Sequence, residues 1–314
     1  MQFIFILLLS ISSVFADDKT NLNGQQWLDK VNDAMKVTNY HGTVVLLKHG
    51  QLEAMNYHHT FENGVEYERL TSLNSPLREV TRNSSEISCF YKETHQKVET
   101  KHPIDRSFIV NLPLHPERLQ DQYLFAVAGQ EMVAMRPAQV LAILPKDDLR
   151  YARKLWIDTA SLLPLKVEVY GLDGKTLEQV LFTELTVDKS NAGSEAAIQK
   201  SADENQLSQN VVQAEAFEKS RFELKNWPPG FEKTFFIRNT MQQSKKTVDH
   251  LLISDGFSSV SVYFEAKGEK SLEGLRALGP VNSYSRVIDD LQITVLGEVP
   301  VQTVELVAKG VSLR

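Results

Sequence analysis

Eight histidines and one cysteine are the side chains of this chain best suited to hold a metal or attack a substrate. Their spacing argues against both. His58 and His59 are adjacent, so on a strand they face opposite sides and cannot share an ion. His41, His49, His95, His102 and His115 are dispersed, and the chain contains no His-x-x-x-His or Cys-x-x-Cys pattern. No metal or other cofactor is expected. Cys89, between Ser88 and Phe90, has no nucleophile motif around it and reads as a buried structural thiol. There is no Gly-x-Ser-x-Gly and no glycine-rich phosphate loop. Asp147-Asp148 and Asp289-Asp290 sit in turn-like stretches and read as solvated. What is left for catalysis is a hydrolase built from Cys89 with His58 or His59, and no local motif supports it. The chain reads as a protein that binds.

The elements that position these residues are mostly strands. Residues 151–187 read as three long antiparallel strands, 151–158, 165–170 and 176–187, turned at Thr159-Ala160-Ser161 and at Asp173-Gly174, a pair that tolerates positive φ. On the third strand Leu177, Leu181 and Leu185 alternate onto one face. Glu178 and Glu184 share the other with Val180 and Phe182. Such a ribbon must wrap around something. Upstream, residues 23–36 carry Trp27, Leu28, Val31, Ala34 and Met35 at helical spacing. A meander follows, with strands at 40–48, 51–60, 65–73, 77–82 and 86–91. Further strands are read at 123–128, 131–135 and 139–144. Ten or eleven strands exceed what a flat sheet holds, so the sheet must curl.

Residues 102–122 break the pattern. Pro103, Pro113 and Pro116 forbid a long regular element there. Ile104, Phe108, Ile109, Leu112 and Leu119 make the stretch apolar, and it reads as a lid lying across the sheet.

The first sixteen residues, MQFIFILLLSISSVFA, are apolar but too short to span a bilayer, and they read as a secretory signal peptide lacking the usual basic start. The chain is therefore expected in the periplasm as a soluble protein. With one cysteine it has no intramolecular disulfide, and its stability must come from burial. The net charge is −6. No basic stripe is present, which argues against nucleic acid as a partner.

Residues 188–220 contain one aromatic, Phe217, carry a charge of −3 (three basic, six acidic), and read as a linker. Residues 221–314 form a second domain of charge +1 (twelve basic, eleven acidic). Strands are read at 248–254, 258–265, 284–288 and 291–296, and a helix at 301–309 after Pro300. Its opening, Trp227-Pro-Pro-Gly-Phe231, is either a turn anchoring the core through Trp227 and Phe231 or a contact for a partner.

Several stretches, in this order and spacing, resemble the MucB/RseB family: Ser75-Pro-Leu-Arg-Glu-Val80, Glu86-Ile-Ser88, Leu155-Trp-Ile-Asp158, Leu163-Pro-Leu165, Gly174-Lys-Thr-Leu-Glu-Gln179, Ser254-Asp-Gly-Phe257 and Gly297-Glu-Val-Pro300. The resemblance covers essentially all of the chain after the signal peptide. It implies an α+β protein. The large domain, residues 17–187, would be a curved, unclosed antiparallel β-barrel with plugging helices, like the carriers LolA and LolB. The small one would be a twisted antiparallel sheet with a helix.

The resemblance also implies a function. The chain would bind the periplasmic region of a membrane-spanning anti-sigma factor and shield it from site-1 proteolysis. Lipopolysaccharide or lipoprotein acyl chains entering the large domain would release it. A lipid or lipoprotein carrier is the alternative, and a homo-oligomer is left open. On this footing the lipid-cavity candidates are Trp27, Val31, Ile104, Phe108, Ile109, Leu112, Leu119, Leu177, Leu181 and Leu185. The partner-binding candidates are Trp227, Phe231, Asp255, Phe257, Tyr284 and Arg286.

Overall fold

The computed structural model describes residues 22–48, 50–74, 76–83, 86–100, 107–113, 115–188, 207–208, 211–214, 216–240, 247–268 and 271–314. The expected signal peptide, Ile104 and most of the expected linker lie outside them.

Helix α1, Gly24–Val37, begins at a capping box: the Asn23 side chain accepts from the Gln26 backbone, and the Gln26 side chain accepts from the Asn23 backbone, both at 2.9 Å. Its buried face carries Trp27, Leu28, Val31 and Met35. A long antiparallel run follows: β1 Tyr40–Lys48, β2 Gln51–Glu62, β3 Val65–Ser72, β4 Arg78–Arg82, β5 Ile87–Tyr91 and β6 Gln96–Thr100. After a 3-10 turn at Pro116–Leu119 come β7 Tyr123–Val133, β8 Arg136–Pro145, β9 Ala152–Asp158, β10 Pro164–Tyr170 and β11 Thr176–Val187. With the short β12, Leu207–Ser208, they make one twelve-stranded sheet ordered β12-β6-β5-β4-β3-β2-β1-β11-β10-β9-β8-β7. β1 pairs with β11 and so joins the two halves. The two end strands of this order do not pair with each other, so the sheet is unclosed.

Two expectations change here. The strands expected at 123–128 and 131–135 are one strand, β7, whose register shifts between Val127 and Gln130. The turn comes later, at Ala134 and Met135, both at positive φ. β6 was not anticipated.

A bulge decides which face of β11 is inside. Thr43 of β1 pairs with Glu184, but Val44 pairs with Phe182, leaving Thr183 as an extra residue. The alternation therefore slips by one. Val180 and Phe182 are buried before the bulge and Leu185 after it. Leu177 and Leu181 point to the opposite face, against the expectation that all three leucines share the inner one. Gly42 sits beside the bulge because a Cβ there would lie 2.1 Å from the Glu184 carbonyl oxygen.

The small lobe is a seven-stranded sheet ordered β13-β15-β16-β17-β20-β19-β18. Its strands are β13 Val211–Ala214, β15 Glu232–Thr240, β16 Thr247–Ser254, β17 Ser259–Ala266, β18 Gly274–Leu278, β19 Val281–Ile288 and β20 Leu291–Gly297. Helix α2, Val301–Gly310, packs on β19 and β20, and β14 Phe222–Leu224 pairs with β21 Val311–Leu313. β13 falls in the stretch read as linker, yet it pairs with β15. Backbone pairing supplies there what composition does not. Among the described residues no helix is long and apolar enough to cross a membrane.

The core forms two clusters. One lies between α1 and the large sheet; the other lies under α2 in the small sheet. Phe257 belongs by sequence to the small lobe but by packing to the large-lobe cluster.

Candidate functional site

Between the inner face of the large sheet and the small lobe lies a half-open cavity of about 150 Å³. Val44 and Leu46 of β1, Met55 of β2, Leu70 of β3, Val167 and Val169 of β10 and Val180 of β11 form its apolar floor. The strap 107–111 crosses it, placing Phe108, Ile109 and Val110 on the wall. The small lobe adds Phe257 and Glu298, and Arg153 and Glu178 bring charge to the same wall.

Glu68 holds the strap. This buried carboxylate accepts from the Ser107 hydroxyl at 2.5 Å, the Phe108 backbone N–H at 3.0 Å, the Tyr57 hydroxyl at 2.6 Å and Arg82 Nε at 2.8 Å. A charge so deep is tolerated only because each lone pair has a donor. The far end of the strap is tied to α1, where Asn32 donates to the Pro113 carbonyl at 2.8 Å. Pro113 in turn touches the small lobe: a Cβ at Gly256, whose φ is +94°, would lie 2.6 Å from the proline Cβ. Only glycine permits both that backbone and that approach.

Arg150 fastens the lobes. It is fully buried and donates from Nε to Asp255 Oδ2 at 2.7 Å. It also donates to the Pro229 carbonyl and to Asp147. Its guanidinium stands over the rings of Tyr123 and Phe231, 5.5 and 5.2 Å from their centres. The Tyr123 hydroxyl donates to the same Asp255 oxygen at 2.7 Å, and burial with the Asp255 charge pushes its pKa well up. Thr303 donates to the Leu149 carbonyl, and Asn282 donates to the Tyr151 hydroxyl. The ring of Phe257 sits edge-on to Tyr123 at 5.1 Å and 6.1 Å from the ring of Phe125.

At the rim, Lys48 Nζ lies 2.9 Å from Glu178 of its own lobe and is bonded to Glu298 of the other. Burial and the Glu298 charge push the Glu178 carboxyl up. Burial works against the Lys48 ammonium, but its two carboxylates outweigh that and raise it. Arg153 closes this row from β9 and donates to the Ser258 hydroxyl at 3.4 Å.

Of the expected cavity residues, the structure brings Phe108 and Ile109 to the cavity wall. Trp27, Val31, Leu119 and Leu185 are buried in the large-lobe core away from that wall, with Leu112 packed against it. Leu177 and Leu181 face the other way because of the bulge. Ile104 lies outside the described residues.

Of the expected partner residues, Asp255 and Phe257 are buried between the lobes at 5% and 2% exposure. Phe231 is buried in the small core, and Trp227 and Tyr284 pack against it. Arg286 donates to the Val311 carbonyl and braces the C-terminal strand. The Trp-Pro-Pro-Gly-Phe stretch is a turn whose Pro229 carbonyl meets Arg150.

Arg150, Glu68, Lys48 and Glu298 were not foreseen. Glu178 had a signal: it alternates in phase with Val180 and Phe182, an acid on an apolar face. His59 is buried between the Thr38 carbonyl and Glu66, while His58 stacks on His41 on the other face. Cys89 is half-buried rather than buried. Among the described residues no cluster of potential ligands could hold a metal.

Two family models match this architecture, the MucB/RseB N-terminal domain over residues 23–211 and the MucB/RseB C-terminal domain over residues 216–312. The chain belongs to the MucB/RseB family. Within that family it is 31% identical to the sigma factor AlgU regulatory protein MucB of Pseudomonas aeruginosa, over 97% of this chain and 96% of that protein. It is 28% identical to the sigma-E factor regulatory protein RseB of Salmonella typhimurium, over 91% and 90% of the two chains. The solved complex of Pseudomonas aeruginosa MucA/MucB superposes with a TM-score of 0.72 at 27% identity, covering 93% of this chain and 99% of that one. A crystal structure of MucB alone gives 0.66 at 26% identity, covering 93% and 98%. Both lobes of this MucB/RseB chain are therefore found in its relatives, and those relatives are named as regulatory proteins.

Proposed function

We propose that this chain is a periplasmic regulator without enzymatic activity. It binds the periplasmic region of a membrane anti-sigma factor, shields that segment from the first proteolytic cut, and keeps the envelope-stress sigma factor sequestered. An apolar guest in the interlobe cavity releases it. The observation that carries this reading is the two-lobed match, along nearly the whole chain, to MucB solved in complex with MucA(peri).

The cavity supports the second half. At about 150 Å³ it has the size of an engineered apolar cavity that accepts benzene. A long acyl chain needs more room than that. The floor belongs to the large sheet, so the room must come from the strap or from Phe257. Each methylene buried contributes about 0.8 kcal/mol, so a few methylenes suffice to shift lobe docking if only the displaced arrangement accepts them.

The test is a binding measurement between the mature chain and the periplasmic segment of the cognate anti-sigma factor, with laurate as a titrant. Binding that weakens as laurate is added is the expected result. No binding of the segment to the full chain would sink the regulatory reading. Binding indifferent to laurate would leave the regulator and remove the lipid signal.

A further inference from the structure

The rim of the cavity holds a feature that guest binding does not require. Glu178 and Glu298 come from different lobes and share one ammonium, Lys48. We propose that docking of the small lobe takes up a proton at Glu178, so that acidity tightens the two-lobed arrangement and alkalinity loosens it.

The geometry sets the sign. Glu178 lies on the inner face of β11, opposite Lys48 of β1 and Val169 of β10. The charged groups around it are few. β1 contributes Lys48, β9 contributes Arg153 in the same cross-strand row, and the small lobe contributes Glu298. β10 presents the uncharged Val167 and Val169, and the strap 107–111 carries no charge. The Tyr151 hydroxyl, near Glu298, is held by Asn282. With the lobes apart, Glu178 would keep both cations and lose its carboxylate neighbour. With the lobes together, it gains Glu298 and loses water.

Both changes favour the protonated form, and its pKa is raised in the docked arrangement described here. A group whose pKa is higher when docked stabilises docking at low pH and loses that contribution as pH rises through the docked value. When Glu178 is neutral, Lys48 pairs one-to-one with Glu298 across the junction, so the bridge between lobes survives protonation.

The experiment reads lobe opening directly and needs no guest. In the full chain with Cys89→Ser, the substitution Ser258→Cys puts a thiol where exposure is 2% and Arg153 is the neighbour. Its modification by 4,4′-dithiodipyridine, relative to a short peptide of the same local sequence at the same pH, gives a protection factor that does not saturate when the docked state dominates. We expect protection to rise several-fold from pH 8 to pH 4.5.

Glu178→Gln, which mimics the protonated form, should be strongly protected and insensitive to pH. Glu298→Gln should keep a shallower pH dependence, because Glu178 still loses water on docking, and should be weakly protected, because it removes the interlobe ion pair. The opposite levels of these two variants separate a shared-ammonium switch from simple loss of charge. A wild-type profile that is flat or falls toward acid overturns the proposal. So does a Glu178→Gln variant that keeps the wild-type slope. Neither outcome bears on whether laurate enters the cavity or the anti-sigma segment binds.

Discussion

Arg150 Nε and Asp255 Oδ2 meet at 2.7 Å across the junction of the two lobes, with both side chains removed from solvent. The pair is hydrogen-bonded on every side, which is the condition for a buried ion pair to hold. Asp255→Ala leaves the guanidinium buried against Tyr123 and Phe231 without its main counter-ion. The expected loss is about 3–5 kcal/mol, read as a fall in the urea midpoint and a transition that splits as the lobes part. A loss below about 1 kcal/mol, the range of exposed pairs, would show that the junction is wet.

Phe257→Ala removes the ring that the small lobe inserts into the large-lobe core. Truncating a buried phenylalanine costs about 3–5 kcal/mol. The same change enlarges the cavity, so uptake of N-phenyl-1-naphthylamine, followed by its fluorescence, should increase over wild type. Lower stability with unchanged dye uptake would mean that the ring does not limit access.

Glu68 is expected to govern the strap. Glu68→Ala strips acceptors from Ser107, Phe108, Tyr57 and Arg82 together, and breaking such a buried pair costs about 3–5 kcal/mol. Limited chymotrypsin digestion should cut near Phe108 at concentrations that leave the wild type intact. Equal resistance would place the strength of the strap elsewhere, at Pro113 and α1.

The bulge at Thr183 makes a paired prediction about faces. Phe182→Ala should cost about 3–5 kcal/mol. Leu181→Ser, one residue away on the other face, should cost about 1 kcal/mol or less. Thermal unfolding of both variants checks it, and equal losses would overturn the register.

Asp158 gives the fold an acid dependence opposite in sign to that proposed for Glu178. Burial alone would raise this carboxyl, but hydrogen bonds from Arg136 and Ser161 outweigh it and hold the pKa below its usual 3.8. A depressed value stabilises the fold above the unfolded pKa and is lost as pH falls through the folded one. Asp158→Asn should therefore lower stability at pH 7 and flatten the stability profile below pH 4. An unchanged acid limb in urea titrations would count against it.

Much of the fold was legible because strand and helix periodicity are local. α1, the three-strand ribbon and α2 stand close to where alternation and helical spacing place them. β6 escaped because Gln96–Thr100 has too little apolar content to show a pattern. The inner face of β11 was misread because a bulge leaves no mark in alternation; it comes from the partner strand, where Gly42 admits the Glu184 carbonyl.

The site was legible only in part. Phe108 and Ile109 stand out in a proline-punctuated strap. Asp255 and Phe257 look like an exposed Asp-Gly turn, and only the long-range approach of Arg150, more than a hundred residues away in the chain, makes that turn an interior feature.

Phe257 in the large-lobe core carries one more consequence, for the order of events as the chain is made. The large lobe emerges first, and at that moment its barrel has a vacancy where the ring will sit. Seventy residues, from Asp188 to Phe257, must follow the end of β11 before the lobe's interior is filled. During that interval an unpaired sheet edge and an unfilled greasy hollow are both open to whatever is nearby, the condition in which nascent chains attract chaperones or go astray. Until its own phenylalanine arrives, the large lobe has to stay clear of every other apolar surface within reach.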